Sequence, residues 1–194
     1  ANWTPDGSGM MGVSFSNTKI DGVRWDLVTP MYLPIKALVD DGAFVINMSV
    51  GRSANKGSNA SQIANRMGSL YFGYAEAAAY TIRQMTKITY NTYSAYDGTI
   101  WVKAAGNESY GEPDLESGIK NAGVRTLDGM SVDFSTLPML VVTSVNVDMN
   151  DDGTVKSYSK SSYANSCGST AQYCIAAPGG DYVAGTQSDV YSTA

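Results

Sequence analysis

Ser117 and Lys120, and again Ser157 and Lys160, stand three residues apart. That is the spacing of a Ser–Lys dyad, in which the amine takes the hydroxyl proton so that the oxygen can attack an acyl carbon. Enzymes built on such dyads carry companion Ser-Asp-Asn and Lys-Thr-Gly runs, and the chain has neither. In a serine-rich sequence the spacing arises by chance, and both pairs are rejected. A Ser-His-Asp system cannot be assembled from this chain alone, because its 194 residues contain no histidine and that chemistry needs an imidazole as the base.

Three further patterns carry a chemistry that their surroundings do not support. Gly7-Ser8-Gly9-Met10-Met11-Gly12 spells G-x-G-x-x-G, but a dinucleotide cradle must follow a strand and open a helix. Here only six residues precede it and a strand candidate follows. Asp148-Met149-Asn150-Asp151-Asp152-Gly153 begins like a calcium loop, yet the twelfth position, which needs a bidentate Glu, is Ser159. It reads as a hairpin turn. Cys167 and Cys174 are too few for a zinc site without histidines. A local disulfide closing a small loop is the preferred reading of the two, with a pair of reduced, buried thiols as the alternative. No metal or cofactor is expected.

Composition narrows the class. A chain of 194 residues suits a single domain with a substantial core. With 43% hydrophobic and 16% charged residues it is globular rather than disordered. The net charge of −5 argues against a nucleic-acid partner. No apolar run approaches the roughly 20 residues of a membrane span. Abundant Ser, Gly, Asn and Tyr suit a secreted or surface protein. The chain does not begin with Met and opens on no signal peptide, so its start reads as a processed end or a cut.

The elements that must position any site alternate. A strand is expected at 19–25 and a helix at 32–41, stopped by Gly42. The run Ala43-Phe44-Val45-Ile46-Asn47-Met48-Ser49-Val50-Gly51 reads as a buried strand ended by glycine. Apolar residues every three or four positions from 61 to 93 predict one long amphipathic helix, or two joined near Gly73. Strands follow at 99–105 and 137–147, separated by a polar, glycine-containing stretch over 106–135. Asp148 to Gly153 turns, and shorter β segments lie at 155–163 and 173–177. Strand–helix–strand alternation predicts an α/β fold, doubly wound, with a mostly parallel central sheet and helices on both faces. Ligands in such sheets sit at the carboxyl ends of the strands, where both Gly51 and Gly106-Asn107 fall.

Four segments, in order, resemble the subtilisin-like serine proteases, or subtilases. Gly9-Met10-Met11-Gly12-Val13-Ser14 is similar to the family's "G-x-x-G-V-A" run. Val45-Ile46-Asn47-Met48-Ser49-Val50-Gly51 matches its "V-I-N-x-S-x-G" strand, and Ala104-Ala105-Gly106-Asn107 its "A-A-G-N" strand end. Tyr158-Ser159, followed by Ala177-Pro178-Gly179, matches its "Y-S…A-P-G" segment. The spelling Cys-Gly-(x)5-Cys-Ile-x-Ala-Pro-Gly is most similar to subtilase passenger domains of bacterial autotransporters. The resemblance covers essentially the whole chain, as one incomplete domain.

That resemblance implies peptide-bond hydrolysis through a serine acyl-enzyme, with no cofactor and a polypeptide substrate. It assigns Asn107 to the oxyanion hole, against the plainer alternative of a turn cap. Ser49, Val50 and Gly51 become the strand that pairs with substrate. Ala104, Ala105 and Gly106 become one wall of the primary specificity pocket, with Glu108 near its rim, where it would disfavour acidic residues. The family's "D-T/S-G", "H-G-T" and "G-T-S-M-A-x-P" motifs are absent. The chain therefore reads as the internal segment of a secreted or cell-surface catalytic domain, between its histidine and serine motifs. Alone it is expected to be inactive and poorly stable without the flanking segments. The competing reading from another class is a non-catalytic, subtilase-like peptide-binding module. A nucleotide-binding domain lacks its phosphate loop here, and a serine-carboxyl peptidase lacks its "G-T-S" serine.

Overall fold

The computed structural model describes Val23 and residues 30–68, 73–85 and 98–180. The strand expected at 19–25 (Val23 apart), the glycine run at 7–14 and the end of the helix expected up to 93 lie outside those residues. The first helix, α1 (Tyr32–Asp40), stops where glycine predicts. Gly42 takes φ +75°, and the amides of Gly42 and Ala43 turn back to the carbonyls of Val39 and Leu38 at 3.1 and 2.9 Å. That is the two-bond Schellman closure of a helix end. Next comes β1 (Val45–Met48), whose side chains alternate between solvent and core.

The periodic stretch after it forms two helices rather than one, α2 (Ala60–Gly68) and α3 (Tyr74–Met85). Asn59 and Gln62 cap α2 reciprocally, each side-chain oxygen accepting from the other's amide at 3.0 Å, the logic of a capping box. Gly73, at φ +71°, precedes α3. Then β2 (Ile100–Ala104) leads into a 3₁₀ helix, Leu115–Ala122, and a small hairpin of β3 (Val124–Leu127) and β4 (Met130–Asp133). The polar stretch expected over 106–135 thus holds structure that its composition did not announce. The chain continues through β5 (Met139–Met149), β6 (Val155–Lys160), a 3₁₀ turn Gly168–Tyr173 and β7 (Cys174–Pro178).

One sheet joins five of these strands. β1 runs parallel to β2, β2 to β5, and β5 to β7, while β6 returns antiparallel to the second half of β5. The carbonyls of Val142 and Ser144, two residues apart and so on one strand edge, accept from Ala105 and Ser161; that of Val145 accepts from Gly179. So β2 and β6 share one edge of the long β5, and β7 takes the other. The Asp148–Gly153 segment is the β5–β6 turn, where Asp152 accepts from the Thr154 amide and hydroxyl at 2.9 and 2.6 Å.

The core lies on one face of the sheet, where Ile46, Met48, Trp101, Met139 and Val141 are buried under the helices. Tyr74 of α3 meets Trp101 edge-on at 5.3 Å. On the opposite face Val45, Leu140 and Ile175 are exposed; among the described residues, no helix covers them. The α/β class stands, with its described helices gathered on one side.

Packing of α2 on the 3₁₀ helix leaves no spare room. Ile63 is fully buried, and a Cβ on Gly118 would lie 2.2 Å from its Cγ2. We expect Ile63→Ala to cost about 2–5 kcal/mol and Gly118→Ala about 1–3 kcal/mol. Combined, they should cost clearly less than the sum, because each relieves the other. Urea denaturation of both single variants and the double variant checks this, and simple additivity would refute the contact.

Candidate active site

The carboxyl ends of β1 and β2 are neighbours. Register pairs Met48 with Lys103, so three further residues along each chain bring Gly51 level with Gly106. Ser49, Val50 and Gly51 are exposed as they leave the sheet, as is Asn107 just past β2, while Ala105 is buried. Among the described residues the Asn107 side chain makes no hydrogen bond, so it is not serving as a turn cap. Sequence reasoning therefore picked out two segments that the fold does bring together.

It missed what lies between and beneath them. Asp114, only 4% exposed, wedges its carboxylate between the two glycines. A Cβ on Gly51 would come 2.1 Å from Asp114 Oδ2, and one on Gly106 would come 2.3 Å from Oδ1. Gly106 also adopts φ +110°, a conformation that side chains resist. Glycine is thus required at both positions by the floor under them. Lys103, 1% exposed, reaches the same floor from β2. Its Nζ lies 3.7 Å from Asp114 Oδ2 and donates to the Ala104 carbonyl at 2.8 Å.

The second missed residue is Asn165, fully buried. Its Oδ1 accepts from the amides of Glu108 and Tyr110 at 3.0 and 2.9 Å. Its Nδ2 donates to the Ala105 carbonyl at 3.1 Å and to Glu108 Oε2 at 2.8 Å, and lies 3.3 Å from Asp114 Oδ1. Glu108 Oε2 also accepts from the Asn107 amide at 3.0 Å, so this rim carboxylate helps to hold the turn. Ser109 sits at φ +61° and is tied down by the Tyr163 and Ser162 carbonyls, at 2.8 and 2.5 Å. The Cys167–Cys174 disulfide closes the loop just beyond, and Glu112 accepts from the Ser169 amide at 2.9 Å. Nothing local in the sequence ties position 165 to position 107. The buried lysine in an apolar strand was the readable signal that a carboxylate must lie nearby.

The two Ser–Lys pairs are separated in space as in logic. Ser117 Oγ donates to the Ala104 carbonyl while Lys120 donates to that of Leu137. Ser157 faces Asp148, and Lys160 bonds the Ala164 carbonyl. Gly179, in the Ala-Pro-Gly run, lies where a Cβ would meet Ser144 Oγ at 2.2 Å. Among the described residues, no cluster of three or more His, Cys, Asp or Glu could hold a metal.

A mostly parallel sheet with helices, with a polar turn and an exposed segment at its strand ends, defines the class: an open α/β domain, a class in which ligands bind at the carboxyl ends of the strands. The chain belongs to the subtilase family, whose sequence model matches residues 12–194. Among solved structures it is similar to the prenylagaramide maturation protease PagA, at 17% identity and a TM-score of 0.38. It is also similar to a mutant of the protease domain of PatA, at 19% identity and a TM-score of 0.34. Each match covers 75% of this chain and 35% of the other, so the chain spans about a third of the length of either. No curated protein matches it.

Burial lifts the Asp114 carboxyl from its ordinary 3.8 to about 7; Lys103 opposes that rise, and the charges of Glu108 and Glu116 add to it. Burial also lowers the Lys103 pKa. The folded chain keeps a proton on Asp114 that the unfolded chain has released, so this contribution to stability is present below 3.8 and is lost as pH rises through about 7. The urea midpoint should therefore fall between about pH 4 and 7. In Asp114→Asn that fall should vanish, since the group that loses its proton there is gone. An unchanged fall in that variant would assign the effect elsewhere.

Proposed function

We propose that this chain forms the substrate-holding and oxyanion-binding part of a serine endopeptidase. Asn107 carries the reading. Its side-chain carboxamide, exposed just past the end of β2, makes no hydrogen bond among the described residues and stands beside the exposed Ser49-Val50-Gly51 segment, on a turn whose backbone is held from below. A tetrahedral intermediate places negative charge on the former carbonyl oxygen, and a fixed amide dipole aimed there stabilises it without reorganising. An extended peptide adds to Ser49–Gly51 by backbone hydrogen bonds. Its side chain enters between that segment and Ala104-Ala105-Gly106, with Glu108 disfavouring acidic residues at the rim.

The nucleophile, base and orienting carboxylate come from flanking segments of the same catalytic domain, since 194 residues without histidine cannot supply a triad. The disulfide supports an oxidising compartment, outside the cytoplasm or at a bacterial surface. No helix among the described residues is long and apolar enough to cross a membrane.

The purified chain should hydrolyse a peptide ester no faster than buffer, whereas the longest form its reading frame encodes should be active. In that form Asn107→Ala should lower turnover by about 10²–10³, a magnitude carried over from another subtilase. Ester hydrolysis by the isolated chain, or full activity in Asn107→Ala, would sink the proposal. Peptide binding without turnover in the long form would favour the non-catalytic peptide-binding module instead. Separately, Glu108→Gln should relax discrimination against acidic substrate residues, and an unchanged cleavage profile would remove that role.

A further inference from the structure

We propose that Asn165 is the positioning residue of the Asn107 turn, so that one buried carboxamide sets the direction in which the oxyanion donor points. The inference rests on Asn107 being that donor, and it names a residue to which no role has been attached.

The direction of a side chain's Cα–Cβ bond is fixed by the two backbone torsions beside it, and those are held by the bonds of the peptide groups on either side. At Asn107 two of these groups bond Asn165 and a third reaches it through Glu108. The carbonyl before it, on Gly106, accepts from the Asn165 amide at 2.9 Å. The amide after it, on Glu108, donates to Asn165 Oδ1 at 3.0 Å. Its own amide donates to Glu108 Oε2, the oxygen that Asn165 Nδ2 holds at 2.8 Å. A further Nδ2 bond anchors the clamp to the Ala105 carbonyl, and Oδ1 extends it to the Tyr110 amide.

The carboxamide is saturated by this duty. It has two donor hydrogens and one acceptor oxygen with two lone pairs. Two acceptors within 3.1 Å take the hydrogens, the longer approach to Asp114 sharing one of them, and two amides take the lone pairs. Asn165 in turn is locked by its own carbonyl, which accepts from Thr143 Oγ1 of β5 at 2.6 Å. The clamp is therefore referenced to the central strand and not to a neighbouring loop. A carboxamide both donates and accepts in one plane while staying neutral at every pH. Leucine would fill the space and leave the Glu108 and Tyr110 amides without their acceptor; an ionised aspartate would supply acceptors only, facing Asp114 and Glu108.

The test uses the longest form that the reading frame encodes, with amide hydrogen exchange resolved by residue and, alongside, peptide hydrolysis. In Asn165→Ala the amides of Glu108 and Tyr110 should exchange at least about tenfold faster, while those of Trp101 and Ala105 in the sheet stay within about threefold. In Asn165→Asp the same two amides should be protected near pH 5, where the introduced carboxyl can keep its proton, and lose protection by about pH 8. Hydrolysis by Asn165→Ala should show kcat reduced about 10- to 100-fold with KM within about twofold, since the lost alignment acts on the transition state. Unchanged exchange at Glu108 and Tyr110 overturns the proposal. So does uniform acceleration across the sheet in both variants, which would make Asn165 only a core residue. If the wild-type protein proves inactive, the proposed protease function fails, and the exchange pattern still decides the clamp.

Discussion

Three consecutive carbonyls at the end of β2, those of Ala104, Ala105 and Gly106, accept from side chains and from segments outside the sheet. Buried carbonyls must find donors or cost free energy, and their solution organises this half of the molecule. Ala104 takes Lys103 Nζ and Ser117 Oγ. Ala105 takes the Asp114 amide and Asn165 Nδ2, and Gly106 takes the Asn165 amide. Lys103 is on β2 itself; the other donors come from the 3₁₀ helix after β2, with its cap residue Asp114, and from the segment after β6, more than fifty residues on. Satisfying one strand end therefore draws two remote segments beneath the site.

The means chosen are costly. An ammonium and a carboxylate are buried together, and the carboxylate is partly neutralised as a result. A buried pair of this kind is poor evidence for stability, because desolvation offsets most of the attraction. What it supplies is a floor of fixed height. Asp114 fills the seam between Gly51 and Gly106 closely enough that neither position admits a side chain.

Legibility in the sequence tracked distance along the chain. Gly42 and Gly73 marked helix ends because a single residue decides the local φ. Runs of β-branched residues located β1, β2 and β5, whose burial is a property of the run itself. The subtilase pattern located both halves of the site, because each is a strand end spelled in consecutive residues. The β3–β4 hairpin was readable and went unread: Asp128 and Gly129, at φ +51° and +75°, form the Asp-Gly turn that closes two short alternating strands. Asn165 was not readable. Its side-chain partners lie 51–60 residues away, and an asparagine between an alanine and a serine carries no mark of burial. Lys103 stood between: its place in an apolar strand announces a carboxylate partner, yet 18 acidic residues compete for the part.

The two faces of the sheet differ in what they leave unfinished. One is filled by Ile46, Met48, Trp101, Met139 and Val141 against helices. The other presents Val45, Leu140 and Ile175 at 50, 37 and 48% exposure. Parallel strands are stable when both faces are covered, so an apolar parallel face without cover is a surface with its packing energy unrealised. The site divides in the same way. Holding a peptide and stabilising an oxyanion need only fixed dipoles, which the floor and its carbonyls already align. Moving a proton needs a titrating base, and no histidine is present to serve.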